Sequence, residues 1–196
     1  TIGVVGAGTM GAGIAQLAIE AGYDVVGREV TADLGNRAAE RIGHFLARKV
    51  EKGQLGQEER DAAAARLSVT TELSALAGCD LVIEAIVEEL GPKQELFAEL
   101  DRTVAPDAVL ATNTSALSVT EIAAATDRPE RVVGMHFFNP APLMPLVEVV
   151  RAELSSDWAV DAAAAVGERM GKEVVHCHDT PGFVVNRILI PLLNDC

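Results

Sequence analysis

The chain has 196 residues, and its 29 acidic and 16 basic side chains give a formal net charge of −13. Hydrophobic residues make up 49 % of the sequence, too large an apolar fraction for a disordered chain. The negative charge argues against a nucleic-acid partner, because phosphate contacts need a basic protein face. No apolar run approaches the roughly 18 residues of a membrane span, so we expect no membrane partner.

The cysteine and histidine residues predict neither disulfides nor a metal site. Cys79, Cys177 and Cys196 show no CxxC spacing, so we expect a reducing, cytoplasmic location. His176 and His178 would share one face of a strand, but the sequence offers no evident third metal ligand. We also expect the chain to be part of a longer protein, since it opens directly into an apolar strand and stops inside a predicted helix.

Short aliphatic runs alternate with amphipathic or alanine-rich stretches along the chain, which is the pattern of βαβ units with a parallel sheet. The strands are continuous apolar runs, as expected when helices cover both faces of a sheet. We therefore predict an α/β fold of the Rossmann type, with a doubly wound, mostly parallel sheet. The predicted strands are Ile2–Val5, Asp24–Val26, Leu67–Thr70, Leu81–Ala85, Val109–Ala111, Val132–His136, Leu146–Val150 and Val174–Cys177. The predicted helices are Gly11–Ala21, Ala32–Glu51, Glu58–Arg66, Pro92–Val104, Thr120–Thr126 and Asp157–Met170.

A further helix is predicted after the last strand. Thr180 and Pro181 have the residue types that favour the N-cap and the first position of a helix. This pattern predicts a helix from Pro181 to the end of the chain. We therefore divide the chain into a Rossmann domain, residues 1–180, and the start of a helical C-terminal domain, residues 181–196.

A glycine-rich turn lies between the first strand and the first helix, with the sequence GAGTMG. In this position a GxGxxG motif predicts a dinucleotide site. The glycines allow close approach of a pyrophosphate, and the helix N-terminus supplies free N–H donors. Glu29 lies 18 residues beyond the last of these glycines, where a carboxylate can accept hydrogen bonds from the adenosine ribose. The turn residues assigned to the cofactor are Gly6, Gly8, Thr9, Met10 and Gly11.

Two neighbouring charged residues bear on the choice between NAD and NADP. Glu29 favours NAD, because a carboxylate repels the 2′-phosphate of NADP. Arg28 beside it leaves the alternative open, because an arginine can pair with that phosphate or simply point to solvent. We predict NAD, with NADP as the less favoured alternative.

Four polar residues fall where a doubly wound sheet gathers side chains, outside the carboxyl ends of its strands. Ser115 follows one predicted strand, and His136 ends the next. Glu148 lies 12 residues after His136 in the following strand, across a proline-rich connection that could fold that strand back alongside. Asn186 lies one turn into the predicted final helix.

These residues fit the oxidation of a secondary alcohol, in which hydride goes to a nicotinamide while a base removes the hydroxyl proton. His136 is the natural base, because the pKa of histidine lies near working pH. Glu148 would orient the imidazole and stabilise the imidazolium, while Ser115 and Asn186 would hydrogen-bond the substrate oxygens. The two phenylalanines after His136 would keep water away. A histidine at a strand end can instead be a satisfied core residue, and it is the buried acid that favours catalysis.

A basic stripe runs along the predicted helix Ala32–Glu51. Arg37, Arg41, Arg48 and Lys52 are spaced by 4, 7 and 4 residues and fall within about 60° of one another on a helical projection. An anionic substrate that carries phosphate groups would need such cations. A solvated helix face is an equally good interpretation of the stripe. Arg48 and Lys52 are the candidate substrate-binding residues.

The chain resembles the NAD-binding domain of the L-3-hydroxyacyl-CoA dehydrogenase family, the enzymes of fatty-acid β-oxidation and their 3-hydroxybutyryl-CoA relatives. The resemblance covers essentially all of the chain. The motifs GMHFFNP and DTPGFVVNR are highly specific, whereas many dehydrogenases share the glycine motif. The matching stretches are Gly6–Ala15, Leu81–Glu88, Thr112–Ser115, Gly134–Pro140, Leu146–Val150 and Asp179–Arg187.

The resemblance implies an NAD-dependent oxidoreductase that interconverts an L-3-hydroxyacyl-CoA and a 3-oxoacyl-CoA. It gives His136, Glu148, Ser115 and Asn186 the roles derived above, and it points to Lys52 for the substrate. The family continues beyond residue 196 into a helical domain that completes the substrate cleft and carries most of the dimer contact, so a homodimer is implied. The further cofactor contacts that we assign are Ala85, Glu88, Lys93, Ser115 and Asn139.

Two alternatives stay open at this point. Similar motifs serve dehydrogenases for sugar acids such as gulonate, and a CoA-ester assay would separate these from acyl-CoA enzymes. Crystallin-like relatives suggest a non-catalytic dinucleotide-binding or structural protein. The co-occurrence of a base, an acid partner and two polar substrate contacts argues against that second alternative, because a mere binder needs none of them.

Overall fold

The computed structural model describes residues 1–195, and Cys196 lies outside the described residues. The strands and helices alternate along most of the chain, as the sequence predicts. The strands are β1 (Ile2–Val5), β2 (Val25–Arg28), β3 (Leu67–Thr70), β4 (Leu81–Glu84), β5 (Val109–Thr112), β6 (Val132–Phe137), β7 (Leu146–Arg151) and β8 (Glu173–His178). The helices are α1 (Thr9–Glu20), α2 (Ala32–Glu51), α3 (Gln57–Ala65), α4 (Leu90–Thr103), α5 (Val119–Ala123), α6 (Asp157–Arg169) and α7 (Val185–Asn194), with short 3-10 helices at Leu73–Leu76 and Pro129–Arg131.

The strands form one sheet in the order β3-β2-β1-β4-β5-β6-β7-β8. The pairs from β3 to β6 are parallel, β6 and β7 are antiparallel, and β7 and β8 are again parallel to each other. The predicted Rossmann-type, mostly parallel sheet is therefore confirmed. The carboxyl ends of the first six strands lie along one edge, where open α/β sheets bind their ligands.

Helices cover both faces of the sheet, and each face has its own apolar core. On one face, Ile14 of α1, Leu46 of α2 and Val160 of α6 pack against the strands. On the other face, Phe97 of α4 and Ile122 of α5 do the same. Burial on both faces explains why the strands are continuous apolar runs. Across residues 1–195, no helix combines the length and the apolar character that crossing a membrane requires.

The glycine-rich turn is tighter than the sequence pattern suggests. Helix α1 begins at Thr9 with Gly8 as its N-cap, two residues before the predicted start at Gly11. Gly6 adopts a φ of 87° and so completes the reversal from β1 into the helix. Gly11 then lies in the first helical turn, where a Cβ atom would stand 1.9 Å from the carbonyl oxygen of Gly6. The motif therefore has a structural requirement for this glycine.

The prediction of a helix from Pro181 is wrong. Helix α7 begins at Val185, after a turn in which Gly182 and Phe183 have φ values of 74° and 52°. The Phe183 side chain is only 2 % exposed and packs into the core beside α4 and α5. Burial of this large ring outweighs the local helix-start signal. Asn186 is consequently the second residue of α7 and does not lie one turn into it.

Candidate active site

The turn between β1 and α1 leaves space for an anionic group. A Cβ on Gly6 would lie 2.7 Å from the carbonyl oxygen of Ala85, so the two segments pack backbone to backbone, whereas a Cβ on Gly8 would have no neighbour within 4 Å. No side chain caps the N-terminus of α1. Its first N–H groups therefore face this space, beside the exposed Thr9 and the half-buried Met10. This cradle fits a dinucleotide pyrophosphate.

The end of β2 places an acid beside this cradle. Glu29 directly follows β2, and its side chain accepts a hydrogen bond from the Val30 N–H at 3.2 Å. The neighbouring Arg28 donates through Nε to the carbonyl oxygen of Thr71 at 3.3 Å. The arginine is therefore engaged with backbone on the β3 side.

His136 and Glu148 face each other across the antiparallel pair β6–β7. The His136 Nδ1 atom lies 2.7 Å from Glu148 Oε2, and both side chains are buried. The other carboxylate oxygen of Glu148 accepts from the backbone N–H groups of Val184 and Val185, at 3.0 and 2.9 Å. Because a carboxylate only accepts, Nδ1 carries the proton and Nε2 is left as the basic nitrogen.

Two aromatic rings enclose the imidazole. The Phe138 ring centroid lies 4.5 Å from that of His136, and the Phe183 centroid lies 5.6 Å away. Phe137 belongs to the apolar core and points to the opposite face of the strand, so the expectation that it shields the base is wrong. Phe183 takes this position instead. The sequence offered no signal for it, because the contact depends on the turn before α7.

Ser115 and Asn186 lie next to each other. The Asn186 side-chain amide donates to the Ser115 carbonyl oxygen at 3.3 Å, and the Ser115 N–H donates to Glu88 Oε1 at 2.7 Å. Asn186 directly follows Val184 and Val185, whose N–H groups bind Glu148. The chain from Val184 to Asn186 therefore links Ser115 to Glu148, the partner of His136. The structure thus brings together the four residues that the sequence singled out for catalysis.

A buried charge network lies below Ser115. Lys93, which is 1 % exposed, places its Nζ 2.5 Å from Glu84 Oε1 and 3.3 Å from Glu88 Oε2. Glu88 also accepts a hydrogen bond from the Thr114 hydroxyl. Partial burial opposes the ionisation of Glu88, but the bonds from Thr114 and Ser115 and the nearby Lys93 ammonium outweigh it and lower the pKa of Glu88. The Lys93 ammonium is therefore enclosed by carboxylates and is shielded from solvent.

Glu84 is a site residue that the sequence analysis missed. Its side chain is fully buried at the end of β4 and accepts from Lys93 Nζ, the Ile86 N–H at 2.6 Å and the Thr112 hydroxyl at 2.8 Å. An acid at the end of an otherwise apolar strand was the available signal. Ile86 is two residues away along the chain, but Lys93 and Thr112 lie on α4 and β5, which the sequence does not show to be neighbours of Glu84.

Asp179 was also missed, and it joins the end of β8 to α5. Its carboxylate accepts from the Ser118 hydroxyl at 2.8 Å and from the N–H groups of Val119 and Thr120 at 3.1 and 2.8 Å. Partial burial opposes ionisation, but these hydrogen bonds outweigh it and lower the pKa of Asp179. The carboxylate thereby satisfies the first free N–H groups of α5.

A cleft of about 380 Å³ lies between α1, α2 and the loop that joins β6 to β7. Asn139 of this loop lines the cleft, three residues after His136. Thr9 of the glycine-rich turn lines it as well. Three of the four basic-stripe residues line the cleft as well. Arg37, the fourth, does not line the cleft. It forms an exposed ion pair with Asp33 at 2.9 Å, one helical turn away. The lining cations are Arg41, Arg48, Lys49 and Lys52.

A buried lysine holds the loop that walls this cleft. Lys172 Nζ donates to the carbonyl oxygens of Ala141 and Met144, both at 2.7 Å. Burial lowers the pKa of Lys172. The loop is also close-packed on α1, since a Cβ on Gly13 would lie 3.0 Å from Pro142. One cleft wall is therefore fixed from two sides.

Among residues 1–195, no group of three or more His, Cys, Asp or Glu side chains could hold a metal ion. Cys79 and Cys177 are unpaired thiols. Burial raises the pKa of Cys79 to about 11 and that of Cys177 to about 12, so both are poor nucleophiles.

Comparison with known proteins identifies the family of this chain. Residues 1–180 match the family model described as 3-hydroxyacyl-CoA dehydrogenase, NAD binding domain. The chain belongs to this family. A 3-hydroxybutyryl-CoA dehydrogenase of Mycobacterium tuberculosis is 48 % identical over 198 residues, covering 98 % of this chain and 68 % of that protein. A 3-hydroxybutyryl-CoA dehydrogenase of Bradyrhizobium diazoefficiens is 44 % identical, covering 99 % of this chain and 66 % of that protein.

A solved structure of the same family superimposes closely. The Escherichia coli 3-hydroxybutyryl-CoA dehydrogenase structure has a TM-score of 0.97 and 44 % identity, covering all of this chain and 41 % of that chain. The chain thus spans about two thirds of the two curated relatives and less than half of the E. coli chain. Membership of an NAD-binding domain family shows a nicotinamide dinucleotide as the cofactor.

Proposed function

We propose that this member of the 3-hydroxyacyl-CoA dehydrogenase family oxidises the 3-hydroxy group of an L-3-hydroxyacyl-CoA with NAD, and catalyses the reverse reduction. The observation that carries the proposal is the buried His136–Glu148 pair at 2.7 Å, at the edge of the sheet that also holds the glycine turn. The relatives support the substrate class, since their names specify 3-hydroxybutyryl-CoA.

The residues divide the reaction between proton and substrate handling. Bound NAD would supply the hydride acceptor for the carbon that bears the hydroxyl. His136 Nε2 removes the hydroxyl proton, and the Glu148 carboxylate stabilises the imidazolium that results. Ser115 and Asn186 would hold the substrate oxygens. The two aromatic rings limit water around the base, which strengthens the electrostatic interactions there.

The cradle and the end of β2 support NAD over NADP. Glu29 directly follows β2, where a carboxylate would accept hydrogen bonds from a ribose hydroxyl of the cofactor, and its charge disfavours an added 2′-phosphate. Arg28, the residue that left NADP open, already donates to the Thr71 carbonyl oxygen. We therefore expect NADH to bind more tightly than NADPH in a fluorescence titration, and the opposite order would contradict this assignment.

The cleft beside α2 supports a CoA ester as substrate. A protein of net charge −13 must offset its overall field locally to bind an anionic substrate. Arg41, Arg48 and Lys52 supply positive charge at this cleft. Replacing Arg48 and Lys52 together by glutamine should raise the KM for a CoA ester and leave the Kd for NADH unchanged. An unchanged KM would overturn the assignment of the stripe.

Helix α7, which begins at Val185, supports the proposed second, helical domain after the Rossmann domain. Its side chains Ile188, Leu189, Ile190, Leu192 and Leu193 are all largely exposed although they are apolar. Such a face is typical of a surface that another element covers. We propose that this domain carries a homodimer contact, which sedimentation analysis of the full-length gene product would test.

The experiment that tests the proposed function follows NADH consumption with acetoacetyl-CoA in the full-length gene product. His136→Ala serves as the paired variant, and NADH binding is measured separately in both proteins. We expect the wild type to turn over and the variant to lose activity while it still binds NADH. An inert wild type, or a variant as active as the wild type, would refute the proposal.

A further inference from the structure

The charge network at the end of β4 has a feature that the proposed reaction leaves unused. The Lys93 ammonium lies within 3.3 Å of a carboxylate oxygen of both Glu84 and Glu88. Glu84 and Lys93 are both buried, and together they sum to zero charge wherever their shared proton lies. The negative charge of Glu88 is therefore left uncancelled, and the group as a whole carries −1.

This residual charge lies beside Ser115 and Asn186, the residues proposed to hold the substrate. Glu88 accepts from the Ser115 N–H, and the Ser115 carbonyl oxygen accepts from Asn186. Asn186 in turn follows the two N–H groups that bind Glu148, the partner of the base. The charge is thus connected by direct hydrogen bonds to the residues that surround the proposed reaction.

The two redox forms of the cofactor differ in the charge of the nicotinamide ring. The nicotinamide ring is a cation in the oxidised dinucleotide and is neutral in the reduced one. A fixed negative charge close by, in surroundings less polar than water, attracts the cationic ring. Building on the proposed function, we infer that the Glu84–Lys93–Glu88 group sets the relative affinity for oxidised and reduced dinucleotide, with Glu84 as the positioning residue.

Glu84 is essential to this inference because it neutralises Lys93. Without the charge of Glu84, the Lys93 ammonium would offset Glu88, which lies 3.3 Å away, and the group would become neutral. Glu84 is held in place by the Thr112 hydroxyl and the Ile86 N–H as well. Its carboxylate therefore fixes both the position and the effective charge of the lysine.

The test compares Glu84→Gln with wild type in the full-length gene product. Calorimetric titration gives the Kd of NAD⁺ and of NADH for each protein. We expect the ratio of the NAD⁺ Kd to the NADH Kd to rise about five- to tenfold in Glu84→Gln. The double variant Glu84→Gln/Lys93→Met restores a net charge of −1, and its ratio should return to within about twofold of wild type.

A matched control separates charge from structural damage. Asp101 is also a buried, ion-paired carboxylate, bonded to Arg128 at 2.7 Å at the other end of α4. Asp101→Asn should lower stability and leave the ratio unchanged. If Glu84→Gln does not fold, Glu88→Gln removes the residual charge from a half-exposed position and should shift the ratio in the same direction.

The outcomes distinguish this inference from the proposed function. If wild type binds neither dinucleotide, the proposed cofactor is wrong and the inference falls with it. If wild type binds both, three results would each overturn the inference alone. These are an unchanged ratio in Glu84→Gln and Glu88→Gln, no recovery in the double variant, or an equal shift in Asp101→Asn.

Discussion

Replacing Glu148 by glutamine should disable the base while keeping the fold. The carboxylate of Glu148 accepts from His136 Nδ1 at 2.7 Å, which fixes the proton on Nδ1 and leaves Nε2 basic. A glutamine amide at this position can donate to Nδ1 and so favours the opposite tautomer. Nε2 would then carry the proton and could not accept one from the substrate.

The size of the effect follows from the two separate bonds of this carboxylate. A wrong tautomer in a histidine–carboxylate pair costs about 10³- to 10⁴-fold in kcat, or about 4 to 5.5 kcal/mol of barrier. The glutamine oxygen can still accept from Val184 and Val185, so unfolding free energy should fall by less than about 1.5 kcal/mol. Glu148→Ala, by contrast, leaves both N–H groups without this acceptor and should cost about 2 to 5 kcal/mol.

Steady-state kinetics and urea unfolding, measured on both variants, separate these effects. NADH affinity should match wild type in Glu148→Gln, because this side chain does not touch the glycine turn. A kcat within tenfold of wild type in Glu148→Gln would refute the tautomer argument. Equal losses of unfolding free energy in the two variants would show that the carboxylate does not hold the start of α7.

Three further predictions concern the glycine turn, the cleft wall and the contact at α5. Gly8→Ala should weaken NADH binding without changing the Tm, whereas Gly11→Ala should lower the Tm because its Cβ would collide with the turn. Lys172→Met should raise the KM for the CoA ester and lower unfolding free energy by about 2 to 3 kcal/mol in urea titrations, since two buried carbonyl groups lose an ammonium donor. Asp179 has a folded pKa below its ordinary 3.8, so its stabilising effect is complete above that pH and is lost as pH falls through the folded value. Asp179→Asn should therefore reduce the acid dependence of the Tm below the ordinary pKa of 3.8.

The sequence predicted the sheet well because its strands are short apolar runs bounded by turn residues. Helix α2 begins and ends where the pattern placed it. At its start, the Thr31 hydroxyl accepts a hydrogen bond from the Leu34 N–H and caps the helix. Helix α7 was misplaced by four residues, because the decisive factor is the burial of Phe183 in a core formed by distant helices. A local start signal cannot report such a tertiary contact.

The same distinction applies to the site. The facing positions of His136 and Glu148 follow from a strand that folds back after a proline-rich loop, and both features can be read along the chain. Two partners of Glu84 cannot, because Lys93 and Thr112 lie on α4 and β5, which only the fold brings to the end of β4. For Lys93 the cofactor contact implied by the resemblance stays a prediction, and the structure adds that its ammonium lies between two carboxylates.

The segment from Asp179 to Asn186 connects the His136–Glu148 pair to α7. Asp179 binds the start of α5, the Phe183 ring packs on the imidazole, and Asn186 contacts Ser115. The predicted domain boundary after residue 180 therefore falls within the site and not beside it. Since one carboxylate binds both the imidazole and the first N–H groups of α7, tilting α7 must strain or break the bond that orients the base.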